Sequence, residues 1–506
     1  MLLIHPPVAK PGEPPAGIAK LSGSLTSHGI KHTVLDANIE ALLYIIDNTH
    51  PQPHKKYDKW TARALCNISK NHESIKSLST FQNIDRYKSA VFDLNHAIEH
   101  WAGRDATPGI ANYRDTYLSP LRSDDLIQVS ERPRENPYYP YFSKRLPLII
   151  ESDKIRVVGV SLNYLSQALT SFAIIGFLKS QFPGLSFVLG GGLVTSWMNR
   201  PDWRSPFRGL IDHLVAGSGE RRLIEILGVN YLKEEHSMPD YGSLPLDDYL
   251  SPGLTLPYSA STGCYWSRCS FCPEKAEKNP YVPLPVDTVL KDLGELITQT
   301  KPLLLHLVDN AISTSLLRKL AEGGLSVPWY GFARVSRLLT DIDFCMDLKK
   351  SGCVMLKLGL ESGDQGVLDR MHKGIDLETA STALKTLKKA GITTYVYLIF
   401  GTPSETMTAA RNTMEFVVRH KDEIGFLNIA LFNMPVSGPE VKDFETRSFY
   451  EGDLSLYSDY SHPDNWNRKE VRRFLDDEFR KNRAVSGILI KNPPIFTSNH
   501  APFFVM

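Results

Sequence analysis

Short apolar strands alternate with amphipathic helices along most of this chain, and this alternation constrains the fold more than any other feature of the sequence. In the first half, helical stripes of apolar residues such as Ile18, Leu21 and Leu25 separate the predicted strands. Because strands that alternate with helices pair in parallel, the pattern predicts an α/β fold with a doubly wound sheet. The predicted strands of this half cover residues 2–7, 32–38, 157–163, 187–192 and 211–217.

The alternation resumes near residue 256 and predicts a second, separate sheet. Repeated β-α units of this kind predict a partial TIM-type (β/α)6 barrel, whose functional sites lie at the carboxyl ends of the strands. After the strand-like stretch LTLPYSA, the predicted strands cover residues 303–309, 329–335, 354–362, 394–401 and 426–433.

Alternation along 353–361 assigns side chains to the two faces of one barrel strand. Val354 and the leucines at 356, 358 and 360 share one side, which we expect to face the helices. Cys353, Met355, Lys357 and Glu361 share the other side, which we expect to face the barrel interior. Glu361 is therefore predicted to be an interior carboxylate at the active end of its strand.

A chain of 506 residues is too long for one ordinary domain. We predict a Rossmann-like domain over 1–245, the barrel over 250–435 and a C-terminal cap of the barrel mouth over 436–506. Residues 41–150 form an unusually long connection, which we interpret as a mostly helical insert in the first domain.

Composition excludes several classes of partner. The 57 basic and 56 acidic residues give a formal net charge of +1, so nothing favours nucleic acid as a partner. No apolar run approaches the length that spans a bilayer, and MLLIHPP is too short for a signal peptide. We therefore expect a cytoplasmic protein without a membrane partner.

Three of the six cysteines, Cys264, Cys269 and Cys272, lie within nine residues. A disulfide framework would be spread more evenly, so the cluster indicates metal ligands. Three thiolates on one loop suit an iron–sulfur cluster with one open iron. The alternative is zinc, which would need a fourth ligand, and the nearest downstream candidates are His306 and Cys345. We interpret the other cysteines, Cys66, Cys345 and Cys353, as packed thiols.

The loop STGCYWSRCSFCPE resembles the cluster loop of radical S-adenosylmethionine (SAM) enzymes. The spacing of two residues between Cys269 and Cys272 is the usual one, with Phe271 directly before the last cysteine. The stretch 265–268 between the first two cysteines is one residue longer than usual. The resemblance implies a 4Fe–4S cluster on the three cysteines, with SAM bound at its open iron.

Further along, the run Arg334…GLES…IFGTPSET resembles the radical SAM core that accompanies cobalamin-binding domains. The resemblance implies SAM contacts from a set of residues around the barrel mouth: Phe271, Asp309, Arg334, Glu361, Ser362, Ile399 and Gly401. Arg334, Glu361 and Ser362 would contact the amino-acid and ribose parts, and 399–401 would lie against adenine. The alternative for Arg334 and Glu361 is a structural ion pair across the barrel. Glu405 is interpreted instead as part of a helix capping box, 402–405.

The first domain resembles cobalamin-binding domains in two of their three elements. Ser161 matches a Ser-x-Leu turn, and Gly190 and Gly191 match the Gly-Gly pair that follows the next strand. The third element, an Asp-x-His-x-x-Gly loop, is missing, so no histidine can be nominated as the lower cobalt ligand. Cobalamin is expected as a cofactor, and the alternative is a domain retained for architecture or for another nucleotide.

Together these resemblances imply an enzyme that cleaves SAM reductively to a 5′-deoxyadenosyl radical, for cobalamin-dependent methylation of an unactivated carbon. One alternative is a radical rearrangement or cyclisation without cobalamin, and another is a non-catalytic iron–sulfur binding or sensing protein. The implied partners are a small-molecule or peptide substrate and an electron donor such as flavodoxin or ferredoxin. The sequence identifies no further catalytic residue.

Overall fold

The computed structural model describes residues 1–102, 105–201, 203–230, 236–449, 451–494 and 499–505, which fall into two compact units. The first unit comprises Met1–Leu254, Tyr450–Leu456 and Pro493–Asn499. The second comprises Thr255–Phe449, Tyr457–Asn492 and His500–Met506. The region after residue 436 thus contributes to both units, and the three predicted domain limits stay predictions.

The strands of the first unit are β1 Leu2–His5, β2 Thr33–Asp36, β3 Ala106–Pro108, β4 Tyr113–Asp115, β5 Val157–Ser161, β6 Ser186–Gly190 and β7 His213–Val215. Its helices are α1 Ala16–Ser27, α2 Ala37–Asn48, α3 Lys59–Cys66, α4 Ile68–Ile75, α5 Leu78–Phe81, α6 Ile84–Trp101, α7 Ser123–Glu131, α8 Tyr139–Ser152, α9 Leu165–Gln181, α10 Gly192–Met198 and α11 Glu220–Ile226.

Five of these strands form a parallel sheet in the order β2-β1-β5-β6-β7. The order reverses direction between β1 and β5, and this is the position at which doubly wound sheets bind ligands. The prediction of a Rossmann-like sheet is confirmed. The predicted strand 187–192 ends earlier, at Gly190, because Gly191 adopts a φ of 110° and turns the chain into α10.

The long connection between β2 and β5 is mostly helical: its described residues contain α2 to α8 and a short hairpin, β3–β4. It packs closely against the sheet's own helices: a Cβ on Gly176 of α9 would overlap the backbone of Ser130 in α7. Glycine at 176 therefore lets the two helices approach each other.

The strands of the second unit are β8 Thr255–Tyr258, β9 Ser261–Thr262, β10 Val282–Pro283, β11 Leu304–Leu307, β12 Trp329–Ala333, β13 Cys353–Glu361, β14 Thr393–Phe400, β15 Phe426–Leu431, β16 Met434–Pro435, β17 Thr446–Ser448 and β18 Tyr457–Tyr460. Its helices are α12 Pro273–Ala276, α13 Val286–Thr300, α14 Thr314–Gly323, α15 Ile342–Lys350, α16 Gln365–Arg370, α17 Leu377–Lys389, α18 Met407–Arg419, α19 Arg468–Phe474 and α20 Arg483–Leu489.

Six parallel strands form the main sheet of this unit in the order β15-β14-β13-β12-β11-β8. Apart from the β8–β11 pairing, the strands follow one another in chain order, as in a TIM-type barrel that is not closed. The predicted (β/α)6 barrel is confirmed.

The start of β13 departs from the predicted alternation. Trp329 pairs with Cys353 and Tyr330 with Met355, so one extra residue, Val354, interrupts the register. Val354 packs with the interior residues Tyr330 and Met355, and the prediction that it faces the helices is wrong. Extra residues of this kind re-aim the side chains around them.

The amino-terminal end of the barrel is filled by the last part of the chain. Ala501 packs with Leu304, Tyr395 and Phe426, and the neighbouring Phe504 and Val505 cover the same cluster. At the opposite end, the Tyr460 hydroxyl donates to the Gly401 carbonyl over 2.6 Å. The region after 436 therefore lies at both ends of the barrel, and not only at its mouth.

Among the described residues, no helix combines the length and the apolar character that crossing a membrane requires.

Candidate functional site

The three clustered cysteines lie on the loop between β9 and α12. Cys269 is buried, whereas Cys264 and Cys272 are partly exposed, and all three thiols are free. Asp309, at the end of β11, fastens the chain just before this loop: its carboxylate accepts from the Ser261 hydroxyl over 2.5 Å and from the Ala260 amide over 3.1 Å. The Asp309 carboxylate is thus hydrogen-bonded to residues that directly precede the cysteine loop. Its predicted contact with SAM stays a prediction.

Burial raises the pKa of two of the cysteine thiols, Cys272 and Cys269, and nearby amides and cations act against this rise. Burial raises the pKa of Cys272 to about 11, and the backbone amides of Lys275 and Glu274, at the start of α12, act in the opposite direction. Burial also raises the pKa of Cys269, and the charges of Lys373 and Arg334 oppose it. Amide donors and cations beside thiols favour the thiolate form, which iron–sulfur ligation requires.

The cysteine loop carries the candidate ligands of a metal centre. Among the described residues, no three His, Cys, Asp or Glu side chains are arranged to hold one ion. A 4Fe–4S cluster binds each thiolate at a different iron, so its ligands lie further apart than those of zinc. The donor set, three thiols with nearby amides and cations, fits the cluster.

The unusually long stretch 265–268 is accommodated by Trp266. Ser267 takes a left-handed φ of 44°, and the Trp266 indole nitrogen donates to the His372 carbonyl over 3.0 Å. The Arg334 guanidinium stacks on the same ring, 4.1 Å from its centre. Trp266 therefore anchors the longer stretch through its contacts with His372 and Arg334.

Arg334 and Glu361 lie in the same site but do not form the ion pair considered above. Glu361 adopts a left-handed φ of 71°, and its carboxylate accepts from the Lys373 ammonium over 2.8 Å. Arg334 donates to the Lys373 carbonyl over 2.6 Å. The interpretation of Arg334 and Glu361 as a structural ion pair is wrong. Both side chains instead contact Lys373, Glu361 at its ammonium and Arg334 at its backbone carbonyl.

Ser362 follows Glu361 but is fully buried. Its hydroxyl lies 3.1 Å from the Thr413 hydroxyl and accepts from the Asp364 amide over 3.1 Å. These contacts fasten the start of α16, and the predicted SAM contact of Ser362 stays a prediction.

Sequence reasoning missed Lys373. It belongs to no recognised motif, and it reaches Glu361 only because the turn 371–374, between α16 and α17, returns to the barrel mouth. We call these four residues the 371–374 segment. The segment also holds the cysteine loop, since the Met371 carbonyl accepts from the Ser270 amide over 3.0 Å.

A cavity of about 740 Å³ opens beside the cysteine loop. Phe271 lines it together with the turn that follows Gly401, represented by Thr402 and Pro403, and with Phe432 and Met434 beyond β15. The cavity thus combines apolar and aromatic side chains at the carboxyl ends of β14 and β15, where Ile399 and Gly401 were predicted to lie against adenine.

The predicted capping box at 402–405 is wrong. Helix α18 begins at Met407, and its N-cap is Thr406, whose side chain accepts from the Ala409 amide. Glu405 is fully buried, and its carboxylate accepts from the Gly401 amide over 2.5 Å and from the Trp466 indole over 2.8 Å. Burial raises its pKa to about 7. Glu405 therefore fixes the turn after β14, which Gly401 begins.

In the first unit, Ser161, Gly190 and Gly191 lie at the carboxyl edge of the sheet, next to the switch between β1 and β5. The Asn163 amide group donates to the Ser161 hydroxyl over 3.1 Å, and its oxygen accepts from the Gly192 amide over 3.0 Å. A Cβ on Gly191 would overlap the Leu162 carbonyl. Packing within the protein thus accounts for glycine at 191, whereas a Cβ on Gly192 would meet nothing closer than 3.8 Å.

Comparison with known families identifies the second unit. Residues 258–417 match the sequence profile of the Radical SAM superfamily. The barrel is a radical SAM domain. This match begins at the end of β8 and includes the cysteine loop, Arg334, Glu361 and the 371–374 segment.

Two curated relatives are similar to this chain over part of their length. The chain is 26% identical over 236 residues to an uncharacterized methyltransferase of Pyrococcus horikoshii, covering 42% of this chain and 50% of that protein. It is 26% identical over 185 residues to the anaerobic magnesium-protoporphyrin IX monomethyl ester cyclase of Rubrivivax gelatinosus, covering 35% and 33%. The chain therefore spans half or less of these relatives.

One solved structure resembles nearly the whole chain. The radical SAM methyltransferase TsrM from Kitasatospora setae, solved with cobalamin and a 4Fe–4S cluster bound, superposes with a TM-score of 0.53 at 16% identity, covering 94% of this chain and 85% of that one. At this identity the likeness concerns the fold, and it supports the predicted order of a Rossmann-like domain before a radical SAM barrel.

Proposed function

We propose that the chain is a radical SAM enzyme whose Cys264, Cys269 and Cys272 hold a 4Fe–4S cluster. The observation that carries the proposal is the placement of three free thiols beside Arg334, Glu361 and Lys373 at the mouth of a radical SAM barrel. When bound, the cluster and SAM supply one-electron reductive cleavage of the sulfonium to a 5′-deoxyadenosyl radical. The remaining tasks fall to the protein's own side chains.

Arg334, Glu361 and Lys373 supply both signs of charge to a zwitterionic ligand. SAM carries an α-amino and an α-carboxylate group, and charge-assisted hydrogen bonds are the strongest that such groups make. Phe271 and the apolar lining of the 740 Å³ cavity offer a surface for an adenine ring. Glu405 keeps the turn after Gly401 in place through the Gly401 amide.

Cobalamin is the proposed cofactor of the first unit. The position of Ser161 and of the Gly190–Gly192 turn beside the switch point of a parallel sheet supports a ligand there. Tyr164 and Leu165, just beyond β5, are exposed at the same edge and offer apolar surface. The missing Asp-x-His-x-x-Gly loop supports binding without a histidine on the lower face.

The proposed reaction is cobalamin-dependent methylation of an unactivated carbon. The methyltransferase names of the Pyrococcus relative and of TsrM support methyl transfer over the alternatives. A small-molecule or peptide substrate and an electron donor such as flavodoxin or ferredoxin are the proposed partners, and a cytoplasmic location is proposed with them. The cyclase name of the Rubrivivax relative keeps cyclisation as the second candidate reaction.

SAM cleavage distinguishes this enzyme from an iron–sulfur sensor. Anaerobically reconstituted protein, incubated with SAM and dithionite, is expected to release 5′-deoxyadenosine, measured by chromatography and mass spectrometry. Replacing Cys264, Cys269 and Cys272 together by alanine should abolish both iron uptake and the release. The matched variants Cys345→Ala and Cys353→Ala should keep their iron. Full iron uptake without any 5′-deoxyadenosine would support the sensor.

A further inference from the structure

The four residues of the 371–374 segment all contact the candidate SAM site, at the cysteine loop, Arg334 and Glu361. The Met371 and His372 carbonyls hold the cysteine loop through the Ser270 amide and the Trp266 indole. The Lys373 carbonyl holds Arg334, and the Lys373 side chain holds Glu361. Gly374 supports the Trp266 ring, because a Cβ at this position would overlap it.

Lys373 is the member of the segment that brings charge into the site. The side chains of Lys373 and Glu361 are each only 9% exposed. Burying an ion pair costs about as much free energy as the pair regains, so an apolar pair of similar size would serve stability equally well. Stability alone therefore does not account for a lysine at this position.

The ammonium of Lys373 also lies next to the cysteine loop. It is 5.4 Å from the centre of the Phe271 ring, and its field reaches the Cys269 thiol together with that of Arg334. A cation near a redox centre stabilises the form with the extra electron, because that form is more negative. Because the Lys373 side chain is largely buried, solvent screens this electrostatic effect only weakly.

We infer that Lys373 is a positioning residue of the SAM site, which orients the Glu361 carboxylate and places a positive charge near the cluster ligand Cys269. This inference rests on the proposed function, since it assigns a role at the proposed cluster. It goes beyond that function because it makes both SAM affinity and the ease of cluster reduction depend on a side chain outside the recognised motifs.

The inference is tested with Lys373→Met, Lys373→Arg and the double variant Glu361→Gln/Lys373→Met in anaerobically reconstituted full-length protein. Three quantities are measured: iron content, the midpoint potential of the cluster by an EPR-monitored dithionite titration, and SAM affinity by equilibrium dialysis. Lys350→Met is the matched control, because Lys350 forms an exposed pair with Asp347 over 2.9 Å, far along α15.

Lys373→Met is expected to hold iron, to have a more negative midpoint potential and to bind SAM at least roughly tenfold more weakly, the usual loss for one charged hydrogen bond. Lys373→Arg should restore the potential. The double variant, which removes one charge of each sign, should return close to the wild-type potential while its SAM affinity stays low. If Lys373 only stabilised the fold, the additional removal of the Glu361 charge would not return the midpoint potential to the wild-type value. Lys350→Met should behave like the wild type.

Unchanged potential and SAM affinity in Lys373→Met would overturn the inference, as would a shifted potential that the double variant fails to reverse. If Lys373→Met does not retain iron, the midpoint potential and SAM affinity of Lys373→Arg and of the double variant are judged by the same criteria. Failure of the wild type to assemble a cluster would instead refute the proposed function. A wild type that holds the cluster and binds SAM, with Lys373 variants that match it, would refute only the role of Lys373.

Discussion

Glu405 is a buried carboxyl group whose pKa is raised by burial from its ordinary value of 4.5 to about 7. Between these values the folded state binds more protons than the unfolded state, so the free energy of unfolding falls as pH rises through this window. The expected loss is about 3 kcal/mol between pH 4.5 and pH 7. Above about pH 7 the loss in free energy of unfolding should not increase further.

Glu405→Gln keeps an oxygen for the Gly401 amide and the Trp466 indole but cannot ionise. Thermal unfolding of both proteins from pH 5 to pH 8 should show the wild type losing stability relative to this variant as pH rises. Glu415→Gln, an exposed position on α18, serves as the control. If the stability of the wild type and that of Glu405→Gln changed with pH in the same way, the Glu405 carboxyl group would not be neutral in the folded state.

At the scale of residues, the sequence identified the charged groups of the site but not their contacts. Arg334 and Glu361 were both predicted, yet each meets Lys373, which no motif marks. The pairing depends on the left-handed φ of Glu361 and on a turn twelve residues later in the chain. Likewise, Glu405 matched a capping pattern, but burial beside Trp466 directs its carboxylate to Gly401.

The cysteine loop is held by packing of Trp266 on Gly374, and this contact can be tested at the scale of the element. Gly374 has a φ of 64°, and a Cβ there would overlap the indole. Gly374→Ala is therefore expected to destabilise the loop conformation by about 1–3 kcal/mol. The cluster absorbance of the reconstituted variant should bleach faster in air than that of the wild type.

Gly294→Ala is the matched control for this change. Gly294 lies within α13, and a Cβ there would meet nothing within 4 Å, so bleaching should proceed at the wild-type rate. If Gly374→Ala also bleaches at that rate, the contact between Trp266 and Gly374 does not hold the loop.

Strands were predicted well where the hydrophobic period and the turn residues agree, as in β5 and the central strands of the barrel. The strand β13 shows the limit of this reasoning. Alternation assumes an unbroken register, whereas the extra residue Val354 shifts the start of the strand. Such a register shift depends on pairing with the neighbouring strand β12, which a single strand's sequence does not encode.

For the molecule as a whole, the central question is whether the first unit binds cobalamin at its sheet edge. Gly192→Phe should place a ring in that space without disturbing the protein, because a Cβ at Gly192 would meet nothing closer than 3.8 Å. Protein purified from cells supplied with hydroxocobalamin should then lack the cobalamin absorbance of the wild type while keeping its iron.

Gly184→Phe is the control at the opposite edge of the same sheet, just before β6, where a Cβ would also meet nothing within 4 Å. It should retain cobalamin. Equal cobalamin content in the two variants would exclude the Gly190–Gly192 turn as the binding edge. Absence of cobalamin from the wild type would remove this cofactor from the proposed function.

The two-sheet organisation of the molecule was predictable, because each half repeats its own β-α pattern. The course of the C-terminal region was not. Residues after 436 carry no recognised motif, and their contacts with Gly401 at one barrel end and with Phe426 at the other are set by long-range packing. Long-range packing of this kind leaves no local signal in sequence.

EPR of the dithionite-reduced protein, recorded with and without SAM, tests whether Cys264, Cys269 and Cys272 hold a cluster whose open iron accepts SAM. A change in the g values of the cluster signal on addition of SAM is expected, because a ligand bound at the open iron alters the electronic structure of the cluster. A cluster signal that is identical with and without saturating SAM would show that SAM does not bind at the cluster.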